Sequence, residues 1–74
     1  MAKKQDRDVE RDYTARQFAA KLRRLADALE QGRSFDIRIA GERVRVPPDA
    51  ELCIEHEREG DDEELEFTAT WKGR

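Results

Sequence analysis

Residues 18–39 read FAAKLRRLADALEQGRSFDIRI, and within this stretch the spacing of the apolar residues changes from that of a helix to that of a strand. Before Gly32, the large apolar residues recur every three or four positions and therefore share one face of a helix; they are Phe18, Leu22, Leu25 and Leu29. After Gly32, apolar and polar residues alternate, which is the pattern of a strand with one buried face. The stretch predicts a helix followed directly by a strand.

The predicted helix has recognisable ends, near Thr14 and Gln31. Thr14 and Gln17 have the spacing of a capping box, in which the hydroxyl and the amide each bind a backbone N–H group of the first turn. Gly32 can adopt the left-handed conformation that ends a helix. Small alanines flank the apolar stripe, and charged residues occupy the opposite face, so we expect the stripe to lie against a sheet.

Three more segments of alternating apolar and polar residues follow, separated by Gly41, by Pro47–Pro48 and by Gly60. Short connections favour a meander, in which strands adjacent in sequence are adjacent in the sheet. The prediction is an α+β domain with one N-terminal helix packed on a four-stranded antiparallel meander sheet, in the order α-β-β-β-β. The last strand alternates most regularly, and we expect its Phe67 and Trp71 to close the core against the helix.

The length of 74 residues suits one domain, which we predict at residues 13–74, after a flexible charged tail at residues 1–12. No run of residues approaches the ~20 apolar positions that span a bilayer. Cys53 is the only cysteine and cannot form an intrachain disulfide, as suits a reducing compartment. We therefore expect a soluble cytoplasmic protein that does not insert into membranes.

The sequence offers few groups for catalysis. His56 is the only histidine, and its separation of three from Cys53 would place the two side chains on opposite faces of a strand. One histidine and one cysteine are too few for structural zinc, and the acidic residues 61–64 lack the spacing of a calcium loop. We expect no enzymatic activity, no catalytic residue, no metal and no cofactor.

Three segments carry a resemblance to a known family. They are Leu22 to Glu30 (LRRLADALE) in the helix, Gly41 to Pro47 (GERVRVP) at the first hairpin, and the acidic strand that ends at Trp71-Lys72. Together, residues 14–71 resemble the Amphi-Trp domain, a family of small bacterial and archaeal proteins without an assigned activity. The resemblance implies the domain boundaries and leaves the mechanism open.

A binding or self-assembly module is the function that these features favour. One helix about 10 Å wide covers a four-stranded sheet of about 15–19 Å incompletely, so a second copy could complete the cover, giving a homodimer. An unidentified protein partner could use the same surface. The candidate interaction residues are Arg38, Arg43, Arg45 and Trp71.

The alternative is a nucleic-acid-associated regulatory protein that uses the basic helix face and Arg38, Arg43 and Arg45. Residues 1–33 carry a net charge of +3 and residues 34–74 a net charge of −6. Because duplex-binding proteins present a concentrated basic patch, this distribution makes nucleic acid the weaker hypothesis.

Overall fold

The computed structural model describes residues 10–73 and confirms the α+β class and the order of the elements. The predicted tail, residues 1–12, lies mostly outside the described residues. One helix is followed by four strands: α1 (Ala15–Glu30), β1 (Phe35–Ile39), β2 (Glu42–Val46), β3 (Glu51–Glu59) and β4 (Asp62–Thr70).

Both ends of α1 are closed as the sequence predicts. The Thr14 hydroxyl accepts the Gln17 N–H at 3.2 Å, and the Gln17 side-chain oxygen accepts the Thr14 N–H at 3.1 Å, which completes the capping box. At the other end Gly32 has φ +65°, and the Arg33 N–H donates to the Ala28 carbonyl at 2.9 Å. This is the hydrogen bond of a Schellman motif, which satisfies a carbonyl of the last turn.

The strands pair as two antiparallel hairpins with two-residue loops. In the first hairpin, Ala40 and Gly41 both have positive φ, at 51° and 79°, which is the requirement of a type I′ turn. In the second hairpin, Gly60 alone has positive φ, at 62°, and occupies the first loop position, as in a type II′ turn.

The two hairpins form two separate two-stranded sheets, so the prediction of one continuous four-stranded sheet is wrong. Pro47 and Pro48 lie between them, and neither residue can donate a hydrogen bond to a sheet. The second hairpin, residues 51–70, is called the arm below. The Cα radius of gyration is 14.1 Å, whereas a compact domain of this length has about 11 Å, which agrees with an arm that extends from the rest of the chain.

The core lies between α1 and the first hairpin and is small. Its buried residues are Ala28, Phe35 and Val46, and the partly buried residues packed on them are Leu25, Ile37, Ala50 and Ala69. Arg24 fastens the helix to β1, because its guanidinium donates to the Asp36 carbonyl at 2.8 Å and lies 5.4 Å from the centre of the Phe35 ring.

The side of α1 that faces this core is centred on Ala28 rather than on the apolar stripe. Ala28, which is 4% exposed, is the residue next to Leu29 and lies about 100° around the helix from it. Leu25 alone of the stripe is packed on the core cluster, while Phe18, Leu22 and Leu29 are exposed. The expected closure of the core by Phe67 and Trp71 is also wrong, since Phe67 is 59% exposed and Trp71 is 38% exposed.

Candidate interaction surface

The arm has one apolar face. Cross-strand partners in an antiparallel pair point to the same side, and the register pairs Ile54 with Phe67, Leu52 with Ala69, and His56 with Leu65. The large residues of this face are between 56% and 65% exposed; they are Leu52, Ile54, Leu65 and Phe67, and they are called the arm face below. Ala69, at the base of the arm, packs against the core, so the arm face extends away from the core.

The helix presents a second exposed apolar surface. Phe18, Leu22 and Leu29, called the helix stripe below, are between 36% and 53% exposed. Since large apolar side chains each offer roughly 150–250 Å², the arm face, the helix stripe and Trp71 together expose about 600–1,000 Å² of such residues. The largest apolar patch on a typical monomer covers about 300–600 Å². The arm face alone exposes about 360–600 Å², so it is as large as the largest apolar patch of a typical monomer, and the helix stripe adds a second surface.

The opposite face of the arm is acidic. The register places Glu55 opposite Glu66, and Glu57 opposite Glu64. A hydrogen bond with the Glu64 side chain, and next the negative charge of Glu64, raise the pKa of Glu66 above its ordinary value of 4.5, and Glu55 and Glu57 add smaller effects in the same direction. Like charges at directly opposite positions destabilise a hairpin, so this face weakens the arm at neutral pH.

Three of these carboxylates could in principle approach a cation. Oxygen atoms of Glu55, Glu57 and Glu66 lie within 4.8 Å of one another. The three side chains are exposed or only partly buried, and acidic groups so placed are common on proteins that bind no ion there. We assign no metal site to them. The cluster was missed because the sequence analysis compared spacing along the chain, and only the β3–β4 register brings these residues together.

His56 lies on the apolar side of the arm, toward the tip. Its Nε2 atom is 2.9 Å from Glu63 Oε1, and the Arg58 guanidinium donates to the same oxygen at 3.2 Å. The His56 and Glu63 side chains are 51% and 56% exposed, so this pair stands open to solvent. Cys53 belongs to the other face of the strand, as the odd separation from His56 predicts.

The three candidate arginines share the outer face of the first hairpin with an aspartate. The register pairs Arg38 with Arg43, and Arg45 with Asp36. Arg43 Nη2 is 2.9 Å from Asp36 Oδ2, and Arg45 Nε is 3.7 Å from Asp36 Oδ1. Asp36 partly neutralises this basic surface, and its place among the arginines follows from the same alternation that located them.

Further basic side chains line a shallow recess near the start of α1. The Tyr13 ring has the Arg11 guanidinium and the Lys21 ammonium each 5.3 Å from its centre, and Gln17 and Arg24 complete the wall. The buried Tyr13 hydroxyl has no hydrogen-bond partner among residues 10–73. Arg11 and Tyr13 precede α1 in the sequence, so helical periodicity alone does not reveal this recess.

The model of the Amphi-Trp domain family matches residues 1–74, which is the whole chain and includes the segment predicted to be a tail. The chain has no significant match among curated proteins or among solved structures. Within residues 10–73, no helix combines the length and the apolar content that crossing a membrane requires.

Proposed function

The chain belongs to the Amphi-Trp domain family, and we propose that it is a non-catalytic self-assembly module that acts as a homodimer. The observation that carries this proposal is the pair of exposed apolar surfaces, the arm face and the helix stripe. Their combined exposed area of about 550–900 Å² per copy is comparable to the ~800 Å² that each partner contributes to a standard interface. The proposal also places the protein in the cytoplasm, where its exposed thiol, Cys53, would stay reduced.

The small core supports the same proposal. Only Ala28, Phe35 and Val46 are buried among the described residues, so one copy buries little of the apolar surface that its sequence provides. Chains of this size often need a metal, disulfides or oligomerisation to add stability. A second copy would bury apolar residues that one copy leaves exposed, without any change in chain length.

Sedimentation velocity over a series of protein concentrations tests the proposal. We expect the mass to rise from 8.7 kDa to about twice that value as the concentration increases through the micromolar range. Phe67→Ser removes a large side chain from the arm face and should shift the equilibrium toward monomer. Thr68→Ser, on the neighbouring position and the opposite face, is the matched control and should leave the equilibrium unchanged.

A chain that remains monomeric at every concentration would contradict the proposal. So would equal weakening by the two substitutions, because the control changes no apolar contact of the arm face. Circular dichroism of both variants shows whether the arm and helix remain folded.

Nucleic-acid binding is the second candidate, and the recess around Tyr13 is the observation that favours it. Arg11 and Lys21 lie over one aromatic ring, a combination that suits a base or a phosphate. Against it, Arg43 and Arg45 already contact the carboxylate of one aspartate. A mobility shift of labelled single-stranded or duplex nucleic acid that weakens steeply with salt, and is reduced by Lys21→Gln, would support this candidate.

A further inference from the structure

We infer that in the proposed dimer the arm face of each copy packs on the helix stripe of the other copy, so that the same contact forms twice about a two-fold axis. This inference rests on the proposed function, because it identifies which surfaces of the two copies meet. It excludes the other symmetric arrangement, in which the two arm faces pack on each other.

The net charges of the two elements that carry these surfaces favour the exchanged arrangement. The arm, residues 51–70, carries nine acidic residues and one arginine, a net charge of −8. The helix Ala15–Glu30 carries four basic and two acidic residues, a net charge of +2. Packing arm on arm would bring two strongly negative hairpins together, whereas packing arm on helix brings opposite charges together.

The dimensions of the two surfaces also agree. The arm face extends over the rows from Leu52 to Leu65, four residues apart along the hairpin and therefore about 14 Å long. The helix stripe extends from Phe18 to Leu29, eleven residues along the helix and therefore about 16 Å long. A helix packed across a two-stranded sheet is also an ordinary layer arrangement for an α+β fold.

Each arm covers the helix of the other copy because the arm is held away from the helix of its own chain. Ala50 and Ala69, at the base of the arm, pack against the core cluster. The Ala50 N–H also donates to the Pro47 carbonyl at 3.2 Å, which closes the turn between the hairpins. The two prolines of this turn fix φ and limit how far the connection can bend. With the arm in this position, the arm face and the helix stripe of one copy both remain exposed.

Disulfide cross-linking between copies tests the inference. Cys53→Ser first removes the native thiol, which lies on the acidic side of the arm. In that background, single-cysteine variants are made at the helix stripe (Phe18→Cys and Leu22→Cys) and at the arm face (Ile54→Cys and Phe67→Cys). Each helix variant is mixed with each arm variant, oxidised, and separated on a non-reducing gel, with the oligomeric state of every reduced variant measured by sedimentation.

We expect at least one helix–arm mixture to give a mixed disulfide dimer, and we expect the arm variants alone to remain uncrosslinked. A disulfide requires Cα atoms within about 7 Å, so it reports direct apposition of the two surfaces. A mass tag on the helix variants identifies the mixed product.

Two results would overturn the inference while leaving the proposed function intact: dimers in which only the arm variants cross-link with themselves, and dimers in which no helix–arm mixture cross-links. A Cys53→Ser chain without further substitutions keeps every apolar residue of the two surfaces, and finding it monomeric at every concentration would overturn both. A Leu22→Cys, Phe67→Cys double variant that forms its disulfide only within one chain would show that the arm packs on its own helix, which also overturns the inference.

Discussion

Replacing Ile54 by threonine separates the stability of one copy from that of the proposed dimer. Ile54 lies in the centre of the arm face, opposite Phe67, and is 65% exposed in the single chain. Threonine keeps the β-branched shape that suits a strand and replaces apolar atoms by a hydroxyl. The neighbouring Cys53→Thr substitution creates the same residue on the opposite face and is the matched control.

The expected magnitude follows from the exposure. Complete burial of an isoleucine contributes about 1.5–3 kcal/mol, so burying the exposed two-thirds of Ile54 in both copies contributes about 2–4 kcal/mol to the dimer. Threonine keeps part of this, and the dissociation constant should rise about 10- to 100-fold. In one copy the side chain already faces solvent, so the free energy of unfolding of dilute monomer should change by less than about 0.5 kcal/mol.

Sedimentation equilibrium gives the dissociation constant, and urea unfolding of dilute protein gives the stability of the monomer. The reasoning is refuted if Ile54→Thr lowers the stability of dilute monomer by more than about 2 kcal/mol while Cys53→Thr does not. That result would mean that the arm face is buried within its own chain.

Two further predictions concern the hairpins. Ala40 has φ 51°, and Ala40→Asn creates the Asn-Gly pair preferred in type I′ turns. This substitution should raise the free energy of unfolding, measured by urea titration, by about 0.5–1 kcal/mol. An unchanged free energy of unfolding would argue against positive φ at this position. The pKa of Glu66 is raised in the folded arm, so folding favours its protonated form. The stability that this form contributes is fully present below pH 4.5 and is lost as the pH rises through the folded-state pKa. Glu66→Gln should therefore have a higher free energy of unfolding than the wild type at neutral pH, and the difference should decrease as the pH falls toward 4.5. A difference that stays constant with pH would contradict the raised pKa of Glu66.

The local structure could be predicted because its causes lie within a few residues. The capping box needs only Thr14 and Gln17, and the end of the helix needs only Gly32. The turn at Ala40–Gly41 follows from the alternation on either side of it. Each of these features depends on neighbours in sequence, so one sequence suffices to place them.

The relation between the hairpins could not be predicted in the same way. An alternating strand has the same pattern whether it pairs with the preceding hairpin, packs on its own helix or packs on another molecule. Short connections favoured a single meander, but nothing local specifies hydrogen bonding between β2 and β3, and Pro47–Pro48 interrupts the backbone donors between them.

The packing of the helix was mispredicted for a related reason. The stripe of Phe18, Leu22 and Leu29 shows which side of α1 is most apolar, and the small Ala28 shows where another element can approach most closely. In the structure the close approach decides the contact with the first hairpin, and Arg24 strengthens it from the same side. The periodicity therefore identified an apolar surface correctly without showing what covers it.

Alternation alone also limited the prediction of the candidate interaction residues. The alternation placed Arg38, Arg43 and Arg45 on one face, but judging that face by its arginines alone overlooked Asp36, which contacts two of them. Trp71 was assigned to the core because it continues the phase of β4, yet it lies beyond the last residue of that strand and remains partly exposed.

Assembly and folding of this chain are coupled if the two proposals hold. Three residues are buried in the described part of one copy, and the arm carries opposed pairs of glutamates that weaken it at neutral pH. In a two-fold dimer every contact occurs twice, so each apolar residue of the arm face and the helix stripe contributes twice to the free energy of association. Any partner that binds only the folded chain stabilises it by mass action, so the stability of this domain would increase with its own concentration. The acidic face then lies on the outside of the assembled pair, where its charge opposes the addition of further arms and favours a closed dimer over a growing aggregate.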